Sequence, residues 1–320
     1  MTEGTVHTAA GATGPAATSP PATVRPDSDL SLPEGDELVV TTDDGAALAV
    51  TVAGPAEGAG PTIVMPHCWT GSRAVWVPVA RRLLAAGHVV VLYDQRGHGA
   101  STVGRQPISI ARLGDDLAAV LDHLDLRDVV LAGHSMGGMT VMAYACRHTD
   151  SVRARVRALA LVATAAHGLA ARGRERFWRV VLWRDLVDRV LAHPGIGRAF
   201  VRGTFGADPR RAHVEATRAL FVATRSDVRR ACVEAISEMD LRDALRHVDV
   251  PAVVVLGTRD TMIVNSLTRA IADHVAGATV VELPGAGHML PFERPDEVVA
   301  AIERLAAGAT PAPAPVTPPA

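Results

Sequence analysis

Short apolar runs alternate along this chain with stretches of helical period, and that rhythm sets the fold class. Residues 38–42 and 47–53 flank Asp43-Asp44-Gly45 and predict two strands around a hairpin turn. Six further runs follow at 62–66, 89–93, 129–132, 158–162, 251–257 and 279–283. They are β-branched and nearly continuous, as strands buried on both faces must be. The stretches between them, such as 79–86, 113–124 and 139–147, place apolar residues three and four apart, the spacing of a helix with one buried face. Strand–helix alternation requires right-handed crossovers, so the expected fold is α/β, with a mostly parallel central sheet flanked by helices.

One interval breaks the rhythm. About 85 residues separate the strand at 158–162 from the one at 251–257, and they read as several helices, including 175–191 and 208–225. A helical insertion at that point is expected to sit over the end of the sheet where ligands bind, as a lid. Within 175–191 the apolar positions Phe177, Trp178, Val181, Leu182, Leu186 and Val190 form a broad stripe. Such a stripe packs on a core or, in the case of Trp178 and Trp183, walls a substrate pocket. Residues 166–230 also hold fourteen arginines against six carboxylates. That excess reads as a solvated face or, less commonly, as a surface for an anionic substrate or a membrane.

Composition changes the picture at the two ends. Residues 1–33 and 308–320 are rich in Ala, Thr, Pro and Gly and hold few large apolar residues, so burial cannot offset their ordering entropy and both are expected to be disordered. The domain plan is therefore an α/β core over 34–165 and 241–307, with the lid over 166–240. A net charge of −2 gives no pull towards nucleic acid. No apolar run reaches the roughly 18 residues of a membrane span, and the first thirty residues lack the cationic start and apolar stretch of a signal peptide. The expectation is a soluble cytoplasmic protein with no stable membrane insertion. Three scattered cysteines, Cys68, Cys146 and Cys232, indicate neither a disulfide framework nor a metal site.

The chemistry is concentrated in loops that follow strands. Gly133-His134-Ser135-Met136-Gly137 is a G-x-S-x-G sequence between the strand at 129–132 and a helix from 138. At such a turn a serine is held in a strained conformation with its hydroxyl exposed; a helix-capping serine is the plainer alternative. A serine hydroxyl is a poor nucleophile until a base takes its proton. His288 is the candidate base, in the glycine-rich loop after the last strand. Asp260 follows the preceding strand and completes the chain order Ser…Asp…His, although an aspartate there also suits a helix N-cap. No carboxylate competes from Ala163-Thr164-Ala165-Ala166, the stretch after the strand at 158–162. A tetrahedral intermediate would need two N–H donors for its oxyanion. The backbone of Met136 and that of Trp69, in His67-Cys68-Trp69-Thr70-Gly71, are the candidates. His67, Cys68 and His134 lie beside these positions as candidate pocket residues, with buried structural packing the plainer reading of His67 and Cys68.

Asp94-Gln95-Arg96-Gly97-His98-Gly99 resembles the D-x-R-G-x-G turn of many α/β-hydrolases, where the Asp and Arg are structural. Together with the serine elbow and the order of the three candidate residues, it makes the chain similar to that superfamily over about 38–305. His67-Cys68 departs from its commoner H-G pair. The resemblance implies hydrolysis of a small-molecule carboxylic ester by Ser135, His288 and Asp260 through an acyl-enzyme, with no cofactor or metal required. Ser135 argues against the epoxide hydrolases and haloalkane dehalogenases of this fold, which use aspartate. Esterases, monoacylglycerol-lipase-like enzymes, perhydrolases of the cofactor-free haloperoxidase type and carbon–carbon bond hydrolases all share these motifs. So does a non-catalytic ligand-binding member.

Overall fold

A computed structural model describes residues 1, 29–56, 60–167 and 193–308. Eight strands form one sheet in the order β1-β2-β4-β3-β5-β6-β7-β8. β1 (Asp36–Thr41) and β2 (Ala47–Ala53) are the expected hairpin, and β2 is antiparallel to β4 (Val90–Tyr93). From β4 onward every pairing is parallel, through β3 (Thr62–Pro66), β5 (Val129–His134), β6 (Val156–Val162), β7 (Ala252–Gly257) and β8 (Thr279–Leu283).

Alternate residues of the central strands feed two separate cores. Val64, Val91, Val129 and Leu131 face one layer, with α2 (Ile110–His123) and α3 (Met136–Arg147). Ile63, Met65, Val90, Leu92 and Val130 face the other, with α1 (Val77–Ala85) and, at the C-terminal end of the described chain, the helix Pro295–Ala306. Burial on both faces is why these strands read as unbroken apolar runs. Ser109 caps α2 by accepting the Arg112 N–H at 3.1 Å. After the short α4 (Thr149–Arg155), the described part of the insertion holds α5 (Pro194–Arg202), α6 (Arg211–Ala223) and α7 (Ser226–Glu238). Pro295–Ala306 is α8, opened by a proline and by Asp296 and Glu297 in its first turn.

The expected disordered tails fall mostly outside the described residues, at 2–28 and 309–320. Within the described residues 29–33, Arg81 donates to the carbonyls of Asp29 and Ser31 at 2.5 and 3.0 Å, and Leu32 packs against the α1 layer. The predicted helix at 175–191, with Trp178 and Trp183, lies outside the described residues. Among the described residues no helix is long and apolar enough to cross a membrane.

Candidate active site

Ser135 sits between β5 and α3 with φ 54° and ψ −117°, in the left-handed half of backbone space that side chains avoid. The surroundings enforce it. Ser135 N–H donates to the Val162 carbonyl at 2.9 Å, and the Ser135 carbonyl accepts from Thr164 Oγ1 at 2.7 Å. A Cβ on Gly133 would lie 2.4 Å from the Gly137 oxygen, and one on Gly137 would lie 2.1 Å from the Pro66 oxygen. Only glycines let strand, elbow and the β3 loop approach so closely.

His288 and Asp260 converge on this serine from 153 and 125 residues away in sequence. His288 Nε2 lies 3.0 Å from Ser135 Oγ, and His288 Nδ1 lies 2.8 Å from Asp260 Oδ2. An ionised carboxylate can only accept, so Nδ1 carries the proton and Nε2 is free to accept from the serine hydroxyl. The other Asp260 oxygen accepts the N–H groups of Met262 and Ile263 at 2.8 and 2.9 Å. Asp260 thus bridges His288 and its own turn, one oxygen to each; it caps no helix, since the next one runs Asn265–Arg269 with Val264 at its N-cap.

Ser135 and His288 lie on the wall of a cavity of about 470 Å³. Its wall is built from loops at the C-terminal ends of β3, β5, β7 and β8 and from the inserted helices. Phe200, Leu220, Phe221, Val233 and Ile236 come from α5, α6 and α7. Among the described residues the wall carries no Asp, Glu or Arg. Arg198 and Arg218, from the arginine-rich insertion, pair instead with Glu215. Arg172, Arg174 and Arg176 lie outside the described residues.

The other predicted residues divide. Cys68 and Trp69 line the cavity. Burial pushes the Cys68 thiol up to about 12, so it stands there as an uncharged, unreactive wall. The Trp69 ring meets Phe221 edge-on, with ring centres 5.4 Å apart, and its Nε1 donates to the Arg229 carbonyl at 3.2 Å. The backbone N–H groups of Trp69 and Met136 have no acceptor among the described residues. The close approach of Gly137 to Pro66 brings their two loops together.

His67 and His134 are not on the cavity wall: both are fully buried and stand behind it, and His67 takes the packing role that was its alternative reading. His67 accepts the Gln95 N–H at Nε2 (3.0 Å) and donates from Nδ1 to the Cys68 carbonyl (2.7 Å), which ties the β3 loop to the β4 loop. His134 donates from Nε2 to the His288 carbonyl at 2.8 Å. Burial pushes His67 down to about 4 and His134 well below the usual imidazole range, so both rings are neutral. Asp94 and Arg96 are structural, as the resemblance implied. Arg96 is fully buried between Asp44 and Asp116, and Asp94 accepts the N–H groups of Arg73 and Ala100.

Thr164 and Phe221 were not among the sequence candidates. Thr164 lay inside a stretch read only for a missing carboxylate. Phe221 had helical spacing as its sole signal, which marks a buried face without saying what it faces.

A sequence profile described as the alpha/beta hydrolase fold matches residues 61–295. The chain belongs to the α/β-hydrolase family. This α/β-hydrolase is similar to 3-oxoadipate enol-lactonase 2 of Acinetobacter baylyi, which is 28% identical over 220 residues, spanning 68% of this chain and 78% of its own. A non-heme chloroperoxidase of Streptomyces lividans is 27% identical over 265 residues, 80% of this chain and 95% of its own. The crystal structure of the enol-lactonase from Burkholderia xenovorans LB400 superposes with a TM-score of 0.72 at 27% identity, covering 84% of this chain and 99% of that one. Among the described residues of this α/β-hydrolase, no group of three His, Cys, Asp or Glu side chains is placed to hold a metal ion.

Proposed function

We propose that this α/β-hydrolase cleaves a neutral, apolar carboxylic ester through an acyl-enzyme, with Ser135 as nucleophile, His288 as general base and Asp260 orienting the histidine. One observation carries the reading: the unbroken line from Ser135 Oγ to His288 Nε2 (3.0 Å) and from His288 Nδ1 to Asp260 Oδ2 (2.8 Å), on the wall of an apolar cavity. As Ser135 Oγ attacks the carbonyl carbon, its proton passes to His288 Nε2, and Asp260 stabilises the imidazolium. The N–H groups of Met136 and Trp69 receive the oxyanion; losing one such donor typically costs about 10²–10³ in rate. His288 then returns the proton to the leaving alkoxide and afterwards deprotonates a water that releases the acid.

The enol-lactonase relatives support an ester bond, since a lactone is a cyclic ester. The described part of the cavity wall, which carries no Asp, Glu or Arg, supports an acyl group without a carboxylate, because a buried anion with no cationic partner would be strongly penalised. Helices α5 to α7 supply the lid over that group.

The test is labelling with a fluorophosphonate probe and peptide mapping, on the native protein and Ser135→Ala, followed by a panel of p-nitrophenyl esters. Labelling at Ser135, lost in the variant, and turnover of butyrate or hexanoate esters at least tenfold above an adipate monoester are expected. Labelling elsewhere would reject the assignment of the nucleophile. Labelling at Ser135 without ester turnover would reject the reaction and favour carbon–carbon bond hydrolysis with the same residues.

A further inference from the structure

Glu293 ends the short helix Leu290–Glu293 that follows His288. Its carboxylate accepts three backbone N–H groups. Oε1 takes Met289 N–H at 3.0 Å; Oε2 takes Gly287 N–H at 3.0 Å and Gly206 N–H at 2.7 Å. Met289 and Gly287 flank His288 on either side. Gly206 belongs to the link between α5 and α6, 87 residues away in sequence. A carboxylate that only capped its own helical turn would need Met289 alone; the other two bonds reach outside it. In a chain this rich in arginine, the described residues place no cation on this group.

The same link grips the rest of the His288 loop. His288 N–H donates to the Thr204 carbonyl at 2.8 Å, Ala207 N–H donates to the Gly285 carbonyl at 3.1 Å, and the backbones of Gly206 and Gly287 touch so closely that a Cβ on either would collide with the other. Thr261, next to Asp260, donates its hydroxyl to the Gly203 carbonyl at 2.8 Å. Residues 203–207 thus bond to the loops of both Asp260 and His288.

We infer that Glu293 is a positioning residue, which ties the inserted helices to the loop of the general base and holds the His288 ring between Ser135 and Asp260. This rests on the reading of His288 as that base. Charge-assisted bonds from a carboxylate to main-chain amides are short and directional. A displacement of about 1 Å in a reacting group can cost about 10²-fold in rate.

Three substitutions separate bracing from charge. Glu293→Gln keeps the length of the side chain and one oxygen able to accept two amides. Glu293→Asp keeps the charge but falls a methylene short of the three donors. Glu293→Ala removes both. Bracing predicts that kcat on p-nitrophenyl butyrate falls about 10- to 100-fold in Ala and Asp and less than tenfold in Gln, with KM within about twofold throughout. The low-field proton resonance of His288 Nδ1–H, assigned by its absence in His288→Ala, should weaken in the order Gln, then Asp and Ala. If Glu293→Ala does not fold, the Gln and Asp pair decides. Aspartate outperforming glutamine, or a folded Glu293→Ala with the native kcat and resonance, overturns the assignment. If the native protein turns over no ester, the proposed reaction fails, and the resonance alone still decides the role of Glu293.

Discussion

The two oxygens of Asp260 have different employments, and this makes one residue a sharp probe of the site. Asparagine at 260 could still accept the N–H groups of Met262 and Ile263 through its carbonyl, so the loop keeps its shape. Its NH₂ group, however, would face His288 Nδ1 and require that nitrogen to accept. The ring would then carry its proton on Nε2, pointing at Ser135, where it cannot take another. Asp260→Asn is therefore expected to melt within about 2 °C of the native protein yet lose on the order of 10⁴ in kcat. Thermal melting and p-nitrophenyl butyrate kinetics read both quantities, and a loss below tenfold would exclude Asp260 as the orienting acid.

At the scale of elements, the site depends on how closely α3 approaches β3. Gly137 is the contact point, with no room for a methyl group against the Pro66 carbonyl. Gly137→Ala must push the β3 loop outward and take Trp69 with it. The expected result is about 1–3 kcal/mol of lost stability and at least a 10²-fold loss of kcat, read by urea unfolding and ester kinetics. Native kcat in this variant would show that the Trp69 N–H has no part in the reaction. What the sequence made legible follows the same physics. The central strands could be read because burial on both faces leaves only apolar side chains at 63–66, 90–92 and 129–132. Ser135, Asp260 and His288 could be read because each lies directly after a strand. Thr164 and Glu293 could not, since their partners, the Ser135 carbonyl and the Gly206 N–H, are 29 and 87 residues distant and are main-chain groups that leave no mark on residue type. His134 was noticed but misplaced for a related reason: position beside the serine says nothing of which side of the wall its ring takes.

The whole molecule carries an unusual load of buried imidazole, and that governs its response to acid. His67, His98 and His134 are each almost or entirely inaccessible, and burial pushes them down, His67 to about 4 and His98 to about 3. In the unfolded chain the same residues take up a proton near pH 6.5. Below that pH the unfolded state binds protons that the folded state refuses, so stability is greatest above about 6.5 and falls as pH drops towards 4. Each such histidine contributes a slope of about 1.4 kcal/mol per pH unit, or about 4 kcal/mol per unit for the three together. Asp44, held below the usual carboxylate range by its bonds from Arg96, adds a loss of the same sign, but only below about pH 4. A domain in the lower half of the usual range of about 5–15 kcal/mol should therefore unfold within two to three pH units below neutrality. Urea titrations at pH 7.5, 6.5, 5.5 and 5.0 and fixed ionic strength would measure the slope. His134→Asn, whose amide can still donate to the His288 carbonyl, should reduce it by about one proton. A flat profile from pH 6.5 to 5.0 would mean that the three rings take up protons in the fold as they do in the unfolded chain, and the hydrogen-bond assignment that makes His67 an acceptor for Gln95 N–H would have to be abandoned with it.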